Sequence, residues 1–155
     1  MSIQRTTSRA WTGLGILATI GVLATLPAHA EVSLAGIGMG HGAPTAASFR
    51  QFQALVQQYN ASGERFRIDM RCPSACTMFL AIRNACITPD ARLGFHAGGD
   101  ARRGGPDVYY TSQMLSTYKP ALRKYLISNH YMERFEFHTI PGSEMVRRFG
   151  YAACR

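Results

Sequence analysis

The sequence predicts an α/β fold, in which flanking helices pack on a small parallel sheet. Strand-like and helix-like patterns alternate along the chain and are separated by Gly-rich turns, an order typical of parallel sheets. In the segment 66–70, Phe66, Ile68 and Met70 alternate with charged residues, as in a strand with one solvated face. Directly afterwards, the apolar stretch from Ala75 to Arg83 indicates a buried helix.

The first thirty residues have the pattern of a secretory signal peptide. Arg5 and Arg9 form a positive start, an apolar stretch follows, and Ala28-His29-Ala30 is an A-x-A cleavage site. The apolar stretch is shorter than the roughly 20 residues that a membrane span needs. We therefore expect residues 1–30 to be removed, leaving residues 31–155 as one periplasmic or secreted domain without a stable membrane span.

The remaining elements follow from periodicity. Residues 32–37 are predicted to form a first strand, and a helix starting at Thr45 or Ser48 and reaching Tyr59 follows. Short strands are expected at 85–87 and 92–96, and Gly98 to Pro106 reads as a loop. A long amphipathic helix is predicted over 108–129, kinked or split at Pro120. Its apolar stripe contains Tyr110, Met114, Tyr118, Leu122, Tyr125 and Leu126. The apolar stripe of the first helix contains Phe49, Phe52, Leu55, Val56 and Tyr59.

Charge and cysteine content limit the classes of function. The net charge is +8, and it falls to +6 once Arg5 and Arg9 are removed. The basic residues are scattered and accompany no nucleic-acid-binding motif, so they are expected to lie on solvated faces rather than to bind nucleic acid.

All four cysteines, Cys72, Cys76, Cys86 and Cys154, lie in the part expected to be exported. They predict two disulfides with three open connectivities. Their spacing does not fit a metal site, and a disulfide would consume Cys76 as a nucleophile.

The candidate chemistry lies at Ser74 and His96. Ser74 lies between a predicted strand and a helix, and His96 ends the next predicted strand about two dozen residues later. A nucleophilic serine needs a tight turn, a base within reach and a backbone N–H for the oxyanion, and a βαβ unit can supply all three. The structural alternative is that Ser74 caps the helix and His96 packs in the core.

The segment Cys72 to His96 resembles the core of the Clp protease proteolytic subunit and its crotonase-like relatives, most closely secreted bacterial proteins of that superfamily. Pro89 and Arg92 lie in the register that leads into the catalytic histidine of that family. The resemblance implies that Ser74 attacks, that His96 accepts its proton, and that the Ala75 N–H forms half of the oxyanion hole. It further implies a peptide or protein substrate, a homo-oligomer and no cofactor.

The chain departs from the family pattern at two points. The Gly-Gly loop that supplies the second oxyanion donor is absent, so either Gly38 to Gly42 replaces it or one early strand–helix unit is missing, and the pattern favours the loss. The acid that orients the histidine should lie roughly at Phe137. Glu136 is adjacent, but a one-residue shift along a strand points its side chain to the opposite face. Glu133 and Glu144 are other candidates.

Two functions are consistent with these features. One is a periplasmic serine hydrolase, a peptidase built from Ser74 and His96 with Glu136 as the candidate acid. The alternative is a catalytically inactive Clp/crotonase-like domain with a binding or assembly role.

Overall fold

The computed structural model describes residues 31–34, 46–100 and 104–155, which form a mixed α/β domain. The strands are β1 (Glu31–Ser33), β2 (Arg65–Ile68), β3 (Arg71–Pro73), β4 (Ala85–Ile87), β5 (Arg92–Phe95), β6 (Gly99–Asp100), β7 (Gly105–Pro106) and β8 (His138–Pro141). The helices are α1 (Ala46–Ser62), a 3-10 helix (Ser74–Ala81), α2 (Val108–Ser116), α3 (Pro120–Ser128) and α4 (Gly142–Phe149). The expected signal peptide and Gly38 lie outside the described residues.

Two three-stranded sheets stand where the sequence predicted one. The first has the order β1-β2-β4 and is parallel throughout, as predicted. The second has the order β3-β5-β8, in which β3 and β5 are parallel but β8 is antiparallel to β5. The segment predicted as one strand breaks at Asp69-Met70, so that β2 ends in the first sheet and β3 begins the second.

The strand β8 was not predicted, and its sequence explains why. Only Ile140 is buried among its four residues, and the last of them is Pro141. Its two β-branched residues, Thr139 and Ile140, are too few to indicate a strand, and buried and exposed residues do not alternate along it. Its place is nonetheless fixed, because Leu93 lies opposite Ile140, and Phe95 lies opposite His138.

Aromatic side chains form the centre of the core. The ring of Phe66 on β2 lies 4.8 Å from the rings of Tyr59 on α1 and Phe79 in the 3-10 helix. Phe52 contacts Phe79 at 5.2 Å. Close aromatic pairs of this kind add to the free energy of burial. The predicted apolar face of α1 therefore packs against β2 and the 3-10 helix.

The helix after Ser74 is buried on all sides, as predicted, but it winds as a 3-10 helix. Its buried side chains are Ala75, Cys76, Thr77, Met78, Phe79 and Leu80. Further along the chain, the predicted 108–129 helix is divided into α2 and α3, with Pro120 as the first residue of α3. Proline is tolerated there because the first N–H groups of a helix have no partner within the helix.

Gly142 allows α4 to approach the turn that precedes β5. A Cβ atom at this position would lie 2.0 Å from the carbonyl oxygen of Thr88. The Gly142 N–H donates a hydrogen bond to the Ala91 carbonyl at 2.8 Å. This contact holds the end of β8 beside the start of β5. None of the helices in the described part of the chain has the length and apolar character needed to cross a membrane.

Candidate functional site

Ser74 lies at a sharp turn between β3 and the 3-10 helix. Its φ angle is +56°, in the left-handed region that side-chain-bearing residues rarely adopt. His130 is the one other non-glycine residue with positive φ in the described part of the chain. Strain of this kind costs on the order of 1–3 kcal/mol and concentrates at functional sites. A serine on a strained strand-to-helix turn is the geometry of a nucleophile elbow.

A disulfide closes the loop around this turn. Cys72 and Cys76 are bonded, their Cα atoms lie 5.2 Å apart, and both side chains are buried. The closed loop contains Pro73, Ser74 and Ala75. The bond therefore ties the end of β3 to the first turn of the 3-10 helix and restricts how Ser74 can relax.

The side chain of Ser74 is half-buried and does not cap the helix. Pro73 occupies the cap position, and no side-chain hydrogen bond caps this end. Within the described residues, the Ser74 hydroxyl makes no hydrogen bond with another protein group. The Ser74 hydroxyl is therefore not needed for a helix cap, and it could react with a substrate. The Ala75 N–H belongs to the first turn, whose donors have no acceptor within a helix.

His96 lies at the same end of the sheet as Ser74. The strands β3 and β5 are parallel neighbours, with Pro73 opposite Gly94. Ser74 directly follows β3 and His96 directly follows β5. Both residues therefore lie at the carboxyl ends of adjacent parallel strands, as the sequence predicted. This end of a parallel sheet is where open α/β folds commonly bind ligands.

The imidazole of His96 is buried without a polar partner. It is 8% exposed, and neither Nδ1 nor Nε2 has a hydrogen-bond partner in the described residues. The rings of Phe137 and Phe135 lie 4.5 and 5.8 Å from it. Burial lowers the pKa of His96 below its ordinary value of 6.5, with a smaller opposing effect of the Ala97 backbone. The neutral ring, which can accept a proton, is thus favoured at neutral pH.

Within the described residues, no carboxylate is hydrogen-bonded to His96. The side chain of Glu136 is exposed, while the adjacent Phe137 packs edge-on against the imidazole. The position at which the family resemblance places the acid is therefore next to the histidine, but a phenylalanine occupies it. Two other candidate acids are paired elsewhere, Glu133 with His130 at 2.6 Å and Glu144 with Arg148 at 2.9 Å.

The second disulfide joins Cys86 on β4 to Cys154 near the carboxyl terminus. With Cys72–Cys76 it selects one of the three connectivities that the sequence left open, and both predicted disulfides are present. The carboxylate of Glu31 lies close to Cys86 and Cys154, but these sulfurs are bonded to each other, so the group does not offer three metal ligands.

An apolar groove of about 330 Å³ lies on the surface near the His96 strand. Thr111 and Leu115 of α2 form one wall, and Met132 belongs to the other. The two residues that follow His96 donate backbone hydrogen bonds to α2 and to the segment that contains Arg134. The Gly98 N–H donates to the Thr111 hydroxyl at 2.9 Å, and the Ala97 N–H donates to the Arg134 carbonyl at 2.8 Å.

Two buried polar residues next to the site were not singled out from the sequence. The Thr77 hydroxyl donates to the Ser74 carbonyl at 2.7 Å and lies 2.5 Å from the Tyr118 hydroxyl. Both residues were expected only as part of apolar helices. A threonine three residues after a candidate nucleophile is the one sequence signal that could have identified this contact, since threonine commonly bonds the carbonyl three positions back.

Comparison of the chain with protein-family models, with curated proteins and with solved structures finds no match. The case for a function therefore depends on the geometry of Ser74, His96 and their surroundings.

Proposed function

We propose that this chain is a periplasmic serine hydrolase with a Clp/crotonase-like fold, in which Ser74 is the nucleophile and His96 is the general base. The observation that carries the proposal is the left-handed turn at Ser74, with φ of +56° and a hydroxyl that makes no hydrogen bond within the described part of the chain. His96 lies at the end of the neighbouring parallel strand. Two disulfides are typical of an oxidising compartment and support export.

The proposed reaction is acyl transfer in two steps. The Ser74 oxygen attacks a carbonyl carbon while a ring nitrogen of His96 takes the hydroxyl proton. The Ala75 N–H donates to the developing oxyanion. His96 returns the proton to the leaving group, and an acyl-Ser74 ester forms. Water then attacks the ester while His96 takes its proton, and His96 returns that proton to the Ser74 oxygen as the acid product leaves.

A peptide or protein is the proposed substrate class, because the resemblance of Cys72 to His96 is to a peptidase. The apolar groove lined by Thr111, Leu115 and Met132 is the surface that we propose for an apolar side chain of the substrate. The second oxyanion donor is proposed to be Gly38, or else an early strand–helix unit that carried the donor is missing. Gly38 lies outside the described residues.

The proposed homo-oligomer would use the outer surface of α2 and α3. Of the predicted apolar stripe on these helices, Met114, Tyr118, Leu122 and Leu126 are buried within the domain. The large apolar side chains exposed there are Val108, Tyr109 and Ile127. The surface available to a second copy is therefore made by different residues from those that the stripe suggested.

Labelling with a fluorophosphonate tests the nucleophile. We expect purified residues 31–155 to be labelled and Ser74→Ala to be unlabelled. The melting temperature should change little, because the lost hydroxyl has no hydrogen-bond partner among the residues that the structure describes. Ser74→Gly should also be unlabelled but more stable, by about 1 kcal/mol, since glycine adopts positive φ without steric cost. Ser116→Ala, on the exposed face of α2 and outside the lining of the groove, is the matched control and should keep full labelling.

The rate of labelling should depend on pH through His96. Only the neutral ring accepts a proton, and burial lowers the pKa of His96 below 6.5. We expect the rate, measured from about pH 5 to about pH 8, to be half-maximal below pH 6.5 and to fall as pH drops through the lowered pKa. Stability should fall over the same interval, because the unfolded chain binds the proton more readily. A half-maximal rate above pH 6.5 would contradict this assignment.

The alternative function is an inactive domain of the same fold that serves binding or assembly. One observation favours it: Phe137 occupies the place next to His96 where an orienting acid is expected. Without such an acid, a serine–histidine pair can lose activity by a factor of about 10⁴. An unlabelled wild-type protein that is folded and disulfide-bonded would support this alternative.

A further inference from the structure

The side chain of Tyr118 contacts both elements that carry the candidate catalytic pair. Tyr118 lies just before α3 and is 2% exposed. Its hydroxyl is 2.5 Å from the Thr77 Oγ1, three residues after Ser74. Its ring packs edge-on against Phe95, the residue before His96, with centroids 5.4 Å apart at an angle of 87°. One side chain therefore touches both the Ser74 helix and the His96 strand.

The direction of the hydrogen bonds can be assigned. The Thr77 hydroxyl has one hydrogen, which it donates to the Ser74 carbonyl at 2.7 Å. Tyr118 must therefore donate to Thr77. Burial raises the pKa of Tyr118, so the phenol keeps its proton over the physiological pH range. The chain runs from the Tyr118 hydroxyl through Thr77 to the Ser74 carbonyl.

This arrangement differs from the ordinary threonine-to-carbonyl bond. Ser112 and Thr117 also bond the carbonyl three residues back, and those contacts are local to the region of α2. Thr77 is fully buried and receives a second hydrogen bond from a residue 41 positions away. Buried, satisfied networks of this kind hold their members in one arrangement.

We propose that Tyr118 is a positioning residue that fixes the turn at Ser74 relative to the strand that ends at His96. It acts through Thr77 on one side and through Phe95 on the other, and it does not touch the substrate. The proposal rests on the proposed hydrolase function for its effect on rate. A displacement of about 1 Å between reacting groups can lower a rate by up to about 10²-fold.

The test compares Tyr118→Phe, Thr77→Val and their double variant by the rate of fluorophosphonate labelling. Each single variant should label about 10- to 100-fold more slowly than wild type. The double variant should be no slower than the slower single, since both break the same chain. Thr77→Ser, which keeps the hydroxyl, should restore most of the wild-type rate.

Tyr59→Phe is the matched control. The Tyr59 side chain is also buried and its ring packs against Phe66 at 4.8 Å, but no described hydrogen bond or ring contact joins it to Ser74, Thr77 or Phe95. Loss of its hydroxyl should leave the labelling rate within about twofold. A Tyr118→Phe protein that labels at the wild-type rate, or a Tyr59→Phe protein that is slowed equally, would overturn the proposal.

Amide hydrogen exchange separates this proposal from the proposed function. Tyr118→Phe should speed exchange selectively at Thr77, Met78 and His96, whereas Tyr59→Phe should not. If wild type never labels but this selective change is seen, the hydrolase function fails and the positioning role stands. Exchange that is unchanged at these amides, or faster throughout the domain, would overturn the positioning role whatever the labelling shows.

Discussion

Replacing His96 with alanine should slow fluorophosphonate labelling of Ser74 by about 10²- to 10⁴-fold, the range for loss of a general base. Ser74 and His96 follow adjacent parallel strands, and His96 is the residue that we propose as the base. His96→Phe should have the same effect on rate while keeping an aromatic ring against Phe135 and Phe137. Because both nitrogens of His96 are buried without a hydrogen-bond partner in the described part of the chain, His96→Phe should be at least as stable as wild type.

His138→Ala is the control for this result. His138 lies on the neighbouring strand β8, opposite Phe95, and its ring stacks on Tyr131 at 3.8 Å. Its removal should leave the labelling rate within about threefold of wild type, because the His138 ring packs on Tyr131 and not on Ser74 or His96 in the described contacts. If His96→Ala and His138→Ala slow labelling equally, the loss comes from disruption of the β5–β8 pairing, and His96 is not the base.

Removing the Cys86–Cys154 disulfide should cost the domain about 4 kcal/mol of unfolding free energy. The bond closes a loop between residues 68 positions apart, and the entropy that it removes from the unfolded chain grows with loop length. The measurement is chemical denaturation of Cys86→Ala/Cys154→Ala without reductant. Labelling normalised to the folded fraction should not change, since this bond lies away from the turn at Ser74.

The Cys72→Ala/Cys76→Ala pair should give the opposite pattern. These cysteines are four residues apart, so the cost in stability should be smaller, about 2 kcal/mol. Because the bond encloses Ser74, its loss should slow labelling at least tenfold. If the short-loop variant proves the less stable of the two and labels normally, the disulfide does not hold the turn.

Features of local sequence were predicted well. Proline has no N–H to donate and fits the first turn of a helix, so Pro120 divided the predicted 108–129 helix as expected. The apolar spacing of α1 identified the face that packs on Phe66 and Phe79. The order of β3, the Ser74 turn and β5 placed Ser74 and His96 at the same end of two parallel strands.

Contacts between distant residues could not be predicted in the same way. The number of cysteines indicated two disulfides, but only their positions in space select Cys72–Cys76 and Cys86–Cys154. The break at Asp69-Met70 divides one alternating pattern between two sheets, and the pattern itself continues across the break. Periodicity predicted that Tyr118 is buried. It could not predict that the Tyr118 hydroxyl would form a hydrogen bond with Thr77.

The position predicted for the acid that orients His96 is occupied by an apolar side chain. The expected acid was placed roughly at Phe137, and this residue does contact the His96 ring. Glu136, one residue away, is exposed to solvent, as expected for a neighbour that points to the opposite face. Within the described residues, the proposed base His96 therefore has an aromatic ring beside it at this position and no hydrogen-bonded carboxylate.

The most direct measurement is to locate the fluorophosphonate adduct by peptide mass spectrometry. Wild-type protein with both disulfides intact should carry one adduct, on the peptide that contains Ser74, and His96→Phe should carry little or none at the same time point. Wild-type protein that remains unmodified while its fold and disulfides are verified, or an adduct on another serine that persists in Ser74→Ala, would contradict the assignment of Ser74 as the nucleophile.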